Sequence, residues 1–319
     1  VTGRPSDDRL LGGGLLFCQQ AFHDLNGVPG PSRRRYEHRV EGRLVGVLDG
    51  VVEGDVLVSG HRAPFGGLDV VREDLGVPEA VGLVRAVVLA ARADGLRQLR
   101  IRARPPVYSG VEPLLEYVLL HLGFRIEHCD LNHHLDVSGG RDPLTLLKDR
   151  KRRYVRAASA RPHELLDVVT GEPLTRLHEV LAANRSAHGR PPPLPRDYLE
   201  AIRQAFPDRV RMRLLLVEGE PAAAAVVYRV LDGIDQVVHW ADVDGVPTAA
   251  PVMELLAHLV TVEAMATGAR LVDLGPSSEK DGSPNSGLAA FKRSVGAVPG
   301  TRKVFVRDLV DEPDDDGAR

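Results

Sequence analysis

Two charged residues frame the stretch best suited to chemistry. Asp273 lies in the apolar run Leu271 to Leu274, and Lys292 lies in Gly287-Leu-Ala-Ala-Phe-Lys-Arg-Ser-Val-Gly296. A polar loop through Glu279 and Asn285 joins them. The pattern predicts a short buried strand, a loop, and an amphipathic helix opening near Ser286, with Leu288, Phe291 and Val295 on one side. A helix start leaves backbone N–H groups free and favours an anion or a developing negative charge. Asp273 could anchor the loop or orient a substrate amine. Equally, an aspartate and a lysine so spaced fit a helix cap and a solvated side chain.

Other candidates are scattered. Residues 148–161 hold seven Lys or Arg and a single acid. Lys148, Arg150, Lys151, Arg152, Arg153 and Arg156 form the densest part, a surface suited to phosphates of RNA or of a nucleotide-linked substrate. In a chain where Arg greatly outnumbers Lys, the same run also reads as a solvated helix. Arg185 and His188 end a helical segment, where cations are favoured by the dipole; His188 is alternatively a general base. His239 and the unique Trp240 close a β-prone run. His61, Phe65, Gly66 and Gly67 suit a loop where backbone approaches a ligand, or a plain turn. His128, His133 and His134 invite a metal, but neighbours on a strand point to opposite faces, so none is assigned. Cys18 and Cys129 lack metal-ligand spacing.

The chain has 319 residues, 43% hydrophobic and 27% charged, with a net charge of −3. That length allows two domains of ordinary size. The balance excludes a polycation, so nucleic-acid contact must be local. No apolar run reaches membrane-spanning length, and no basic-then-apolar leader pattern opens the chain. A cytoplasmic protein is the expectation.

Two passes of similar element order follow. Short β-prone runs at Tyr36–Val40, Leu44–Leu48 and Val56–Ser59 are separated by Glu41-Gly42 and Asp49-Gly50. They lead to a helix over 78–95, a strand over 99–103, a helix over 112–122 and a strand over 124–136. A first helix spans 10–25, interrupted by Gly12 to Gly14. The second pass has the basic helix, helices over 174–187 and 196–205, antiparallel strands over 210–217, 222–230 and 236–241, a helix over 251–267, the Asp273–Lys292 stretch, and a last strand over 302–308. The expected division is residues 1–140, residues 141–310, and a disordered acidic tail over 311–319.

Asp273-Leu-Gly followed by Gly287-Leu-x-x-Phe-Lys-x-x-x-Gly296 resembles the C-terminal signature of the Fem-like transferases, members of the GNAT (Gcn5-related N-acetyltransferase) superfamily. His61 to Leu68 resembles their His-Pro-x-x-x-(Phe/Tyr)-Gly-Gly segment, with Arg62 where Pro is usual. Leu122-Gly-Phe-Arg125 resembles the link before the last strand of such domains. The resemblance implies two tandem GNAT-like domains, each a mixed, mostly antiparallel sheet flanked by helices. It implies that Lys292 stabilises a tetrahedral intermediate or holds a carbonyl or phosphate. It also implies that Arg185 lines the cleft, that His239 and Trp240 face the splayed sheet, and that the basic helix opens the second domain.

A working coenzyme A loop is rich in glycine amides. The corresponding stretch, Asp244 to Pro251, has one glycine and two prolines. The expected reaction is therefore amide formation by aminoacyl transfer from aminoacyl-tRNA, with no bound cofactor or metal. The acceptor would be a small-molecule amine or a peptidoglycan precursor. An acyl-CoA-dependent N-acyltransferase and an inert tandem binding module are the alternatives.

Overall fold

The computed structural model describes residues 9–243 and 251–309. The expected frayed N-terminus and the acidic tail lie outside the described residues. The strands are β1 (Arg33–Val40), β2 (Arg43–Glu53), β3 (Val56–Ser59), β4 (Leu68–Val70), β5 (Gln98–Arg102), β6 (Arg125–Asp136), β7 (His163–Asp167), β8 (Val210–Val217), β9 (Glu220–Leu231), β10 (Ile234–Asp242), β11 (Leu271–Pro276) and β12 (Val298–Asp308). The helices are α1 (Gln20–Leu25), α2 (Val77–Ala93), α3 (Glu112–His121), α4 (Pro143–Leu146), α5 (Asp149–Ser159), α6 (Gly171–Ala187), α7 (Arg196–Ala205), α8 (Val252–Ala266) and α9 (Ser286–Ser294).

Two compact units result: Val1–Asp130 with Gly300–Arg319, and Leu131–Pro299. The boundary differs from the expected 140. Residues 134–136 of β6 already pair with β11 of the second unit. The last strand returns to the first unit, because β12 pairs antiparallel with β5 from Val304↔Arg102 to Asp308↔Gln98.

In the first unit β1, β2 and β3 form a meander, and β3 pairs parallel with β5 across the α2 crossover. Leu83, Val84, Val87 and Val88 recur at helical spacing on α2 and are buried with Leu115 and Val118 of α3. Asp49-Gly50, which reads as a turn, lies inside β2, where Gly50 opposes Arg34. A Cβ at Gly50 would press on the side chain of Leu57, so packing rather than turning explains the glycine. The expected first helix breaks into two 3-10 turns and α1, since Gly12, Gly13 and Gly14 are all left-handed. β4 and β7 were not evident in the sequence.

The second unit orders its strands β11-β10-β9-β8-β7, antiparallel except for β10 with β11. Leu215, Ala223, Val237, Val272 and Leu274 pack with Leu255, Leu256 and Val260 of α8 and Val155 of α5. Alternate residues such as Met212 and Leu214 face the other way, and α6 and α7 lie against these strands. The parallel pairing of β10 and β11 lasts only from Ile234↔Leu271 to Gln236↔Asp273. Both strands continue beyond that register, and β10 bulges between Val237 and His239. The sheet therefore parts at Gln236 and Asp273.

Gly296 ends the α9 segment with φ +99°, and a Cβ there would fall on the Leu146 backbone. Gly296→Ala must move α9 or the α4 segment. We expect a loss of about 2 kcal/mol or more from overpacking and left-handed strain, measured as a lower urea midpoint.

Candidate functional site

The floor of the site is the freed end of β11. Asp273 is fully buried, and its Oδ1 accepts from Gly275 N at 2.8 Å and from Asn132 Nδ2 at 2.8 Å. Lys292 is 2% exposed, so it is no surface lysine. Its Nζ donates to Gly275 O at 2.9 Å and Pro276 O at 2.7 Å. Such charge-assisted bonds offset the cost of burying an ammonium. Asp273 does not cap α9. Asn285 does, its Oδ1 accepting from Leu288 N at 2.9 Å. The loop is held by Ser277 N to Leu131 O at 2.6 Å and Asn285 N to Ser277 O at 2.8 Å.

His133 and His134 do face opposite ways. His133 Nδ1 meets Ser277 Oγ at 2.9 Å, while His134 stands opposite Asp273 in the ladder. Burial holds His133 below the usual histidine range, and Lys292 and Arg293 push it the same way.

The free end of β10 supplies the walls. Trp240 meets Phe291 edge-on at 5.5 Å between ring centroids. Lys151 of α5 lies 5.8 Å from the Phe291 ring and pairs with the buried Glu254 of α8. His239 is held down to about 4, first by burial and then by the charge of Arg185 on α6. Arg185 itself donates to Pro191 O. His188 is exposed and its Nδ1 lies 2.8 Å from Asn184 O, a contact at the helix C-terminus. The structure thus brings Asp273, Lys292, Phe291, His239, Trp240 and Arg185 around the parted strands. It adds Asn132, Ser277, Gln236 and Glu254, which sequence reading missed because isolated polar residues in apolar runs carry no motif.

The first-unit candidates have packing explanations. Phe65 is fully buried, with Phe17 and Tyr108 each 5.3 Å away edge-on, so it is core rather than ligand-lining. A Cβ at Gly66 would overlap Ser59 and Gly60, so close chain packing requires that glycine. His61 pairs with Glu53. Cys18, Asp49 and Asp69 come close enough to share an ion, but Arg35 pairs with Asp49 and the buried Arg104 with Asp69. Those guanidinium groups already balance the carboxylates.

On α5, Val155 and Ala158 face inward while Arg150, Arg153 and Arg156 are exposed, as is Lys148 just before the helix. Lys151 is tied to Glu254, and Arg152 to Asp149 at 3.0 Å. The loop at 244–250, where the glycine-poor stretch was noted, lies outside the described residues. No helix among the described residues is long and apolar enough to cross a membrane.

Residues 147–293 match the family model of the acetyltransferase (GNAT) domain. The fold resembles the crystal structure of FemX, at 14% identity and TM-score 0.70, covering 92% of each chain. It also resembles the C-terminal domain of a putative lysylphosphatidylglycerol synthetase from Agrobacterium fabrum, at 14% identity and TM-score 0.54, covering 87% of this chain and 84% of that one. A tandem GNAT protein from the clavulanic acid biosynthesis pathway matches at 15% identity and TM-score 0.53, covering 90% and 86%. No curated protein sequence matches the chain. The second unit carries a domain that matches the acetyltransferase (GNAT) family, and the fold of the chain is similar to those of FemX and the tandem GNAT protein.

The low value for His239 has a direct consequence. An unfolded histidine takes its proton near 6.5, whereas this one waits until about 4. Its contribution to stability is complete above the unfolded value and is lost as pH falls toward the folded one. NMR of the His239 ring should show a neutral imidazole at about pH 5.5, well below the ordinary midpoint; a midpoint near the ordinary value overturns this.

Proposed function

We propose that the second unit transfers an aminoacyl group from charged tRNA to an amine, forming an amide. The observation that carries this reading is the parting of β10 from β11 beyond Gln236 and Asp273, with the Lys292 ammonium fixed on the freed end of β11. Backbone groups of a strand released from its neighbour can bind an extended chain. An acyl group laid along β10 would bring its carbonyl toward Lys292.

The amine nitrogen then bonds to the carbonyl carbon, and the oxygen becomes an oxyanion stabilised by the nearby ammonium. Collapse breaks the bond to the ribose oxygen, which leaves with the proton lost by the amine. The ester is already activated, so alignment is the main contribution. The exposed cations of α5 support an RNA-borne donor. The name lysylphosphatidylglycerol synthetase describes a lysyl-bearing product, which is consistent with aminoacyl chemistry. The acceptor is a small-molecule amine or a peptidoglycan precursor. An acyl-CoA donor is the second reading, favoured by the acetyltransferase family match.

Filter binding separates the two donors. We expect salt-sensitive binding that prefers charged over stripped tRNA and ignores coenzyme A. Replacing Arg153 and Arg156 by Gln should weaken it and lower the salt slope by about one per lost phosphate contact. Displacement by coenzyme A, or indifference to charging, would move the assignment to acyl-CoA.

Lys292→Met should lower kcat by about 10²–10³-fold, the scale of one lost oxyanion donor, with donor binding retained. A folded variant turning over at the parent rate would remove Lys292 from the chemistry.

A further inference from the structure

On the α6 and α7 face of the second unit, three buried polar side chains surround Asp273. Gln236 stands opposite Asp273 on β10, and His134 opposite it on β6. Directly opposed residues share a face of the sheet, as do residues two apart on one strand, which adds Asn132. The Asn132 Nδ2 bond to Asp273 confirms its side. All four are at least nine-tenths buried: Asn132 and Asp273 are 0% exposed, Gln236 2% and His134 8%.

The unmet atoms of this group share one character. Asn132 Oδ1, Gln236 Oε1 and His134 Nδ1 are buried and meet no hydrogen-bond partner among the described residues. The Asn132 orientation is set, because turning its amide would bring its oxygen against the Asp273 carboxylate. Two of the three atoms can only accept, and the third accepts in the tautomer protonated at Nε2. A buried atom left without a partner is costly, and three together would be an unusual concentration. Acceptors gathered round a carboxylate suit a ligand with several N–H donors and a positive charge. The group stands at the last paired register of β10 and β11, where the strands part.

We propose that Asn132, His134, Gln236 and Asp273 form a subsite for a primary ammonium group, the end of the acceptor that becomes the attacking amine once one proton has passed to the Asp273 carboxylate. This deepens the acyl-transfer reading and rests on it for the amine's role. Secondary and tertiary amines offer fewer donors and leave acceptors unmet, so the subsite selects primary amines.

The test needs no donor. The full chain is titrated with n-butylammonium chloride and, separately, with tetramethylammonium chloride, which carries charge but no N–H. Chemical-shift changes at 15N-labelled asparagine and glutamine amides and histidine rings are followed. Saturable shifts at Asn132, Gln236 and His134 with n-butylammonium only are the expected result. Gln236→Met removes an unmet oxygen from a buried place, so it should fold at least as stably as the parent. It should nevertheless weaken n-butylammonium binding by roughly tenfold, the scale of one hydrogen bond to a charged group. Asn132→Leu provides a second variant on the other flank.

Unsaturable shifts in the parent, equal response to both ions, or undiminished binding in a folded Gln236→Met overturns the subsite. These outcomes are independent of the tRNA filter assay. A chain that binds charged tRNA but not n-butylammonium keeps the donor reading and loses this one, and the reverse holds as well.

Discussion

The second unit depends on how Gly275 is bound. Its N–H is taken by the Asp273 carboxylate and its carbonyl by the Lys292 ammonium. The next residue, Pro276, has no N–H to give, and its carbonyl is also taken by Lys292. Neither residue therefore has a backbone N–H free to extend the ladder toward β10. Gly275 is left-handed at φ +73°, a conformation glycine adopts without strain. The strands part because side chains have replaced the neighbour. The buried lysine is stable for the same reason, since without those carbonyls a 2% exposed ammonium would be costly.

That arrangement also sorts chemistry onto two faces of the parted strands. Trp240 and Phe291 meet on the α8 side, where both pack against the apolar core. His239 feels the charge of Arg185 on α6. A neutral, half-buried imidazole at the free end of β10 and the α9 lysine bonded to the β11 carbonyls give the two strands different electrostatic roles. The β10 side is suited to a neutral chain and the β11 side to developing negative charge.

Much of this was legible in the sequence. The strand, loop and helix around Asp273 and Lys292 follow from apolar spacing, and α7 runs from Arg196 to Ala205 as the periodicity indicates. The local signal failed where tertiary packing decides. Asp49-Gly50 has turn composition, yet β2 runs through it because β1 and β3 pair on either side. Phe65-Gly66-Gly67 has the composition of a ligand loop, yet the ring is core and Gly66 admits Ser59. Asn132 and Gln236 were invisible because a lone amide in a β-prone run acquires meaning only from strand register, and register is not written locally. The domain boundary failed for a related reason: β12 is sequence-adjacent to α9 but pairs with β5.

The electrostatics of α8 bear on the choice of donor. Glu254 lies in its first turn, where a carboxylate complements the helix dipole, and Lys151 of α5 pairs with it. An anionic ligand at that helix start would meet a carboxylate already placed there, and would gain less from the dipole than at an unoccupied terminus. Lys151 in turn is spent within the protein rather than on a ligand. The cations left for phosphates are Lys148, just before α5, and Arg150, Arg153 and Arg156, spread along its exposed side. A row of exposed cations on a helix suits a phosphate backbone read at several points better than one pyrophosphate gripped in a loop. Net charge of −3 limits how far that footprint extends. On the proposed charged-tRNA reading, the contact surface would be local and centred on α5.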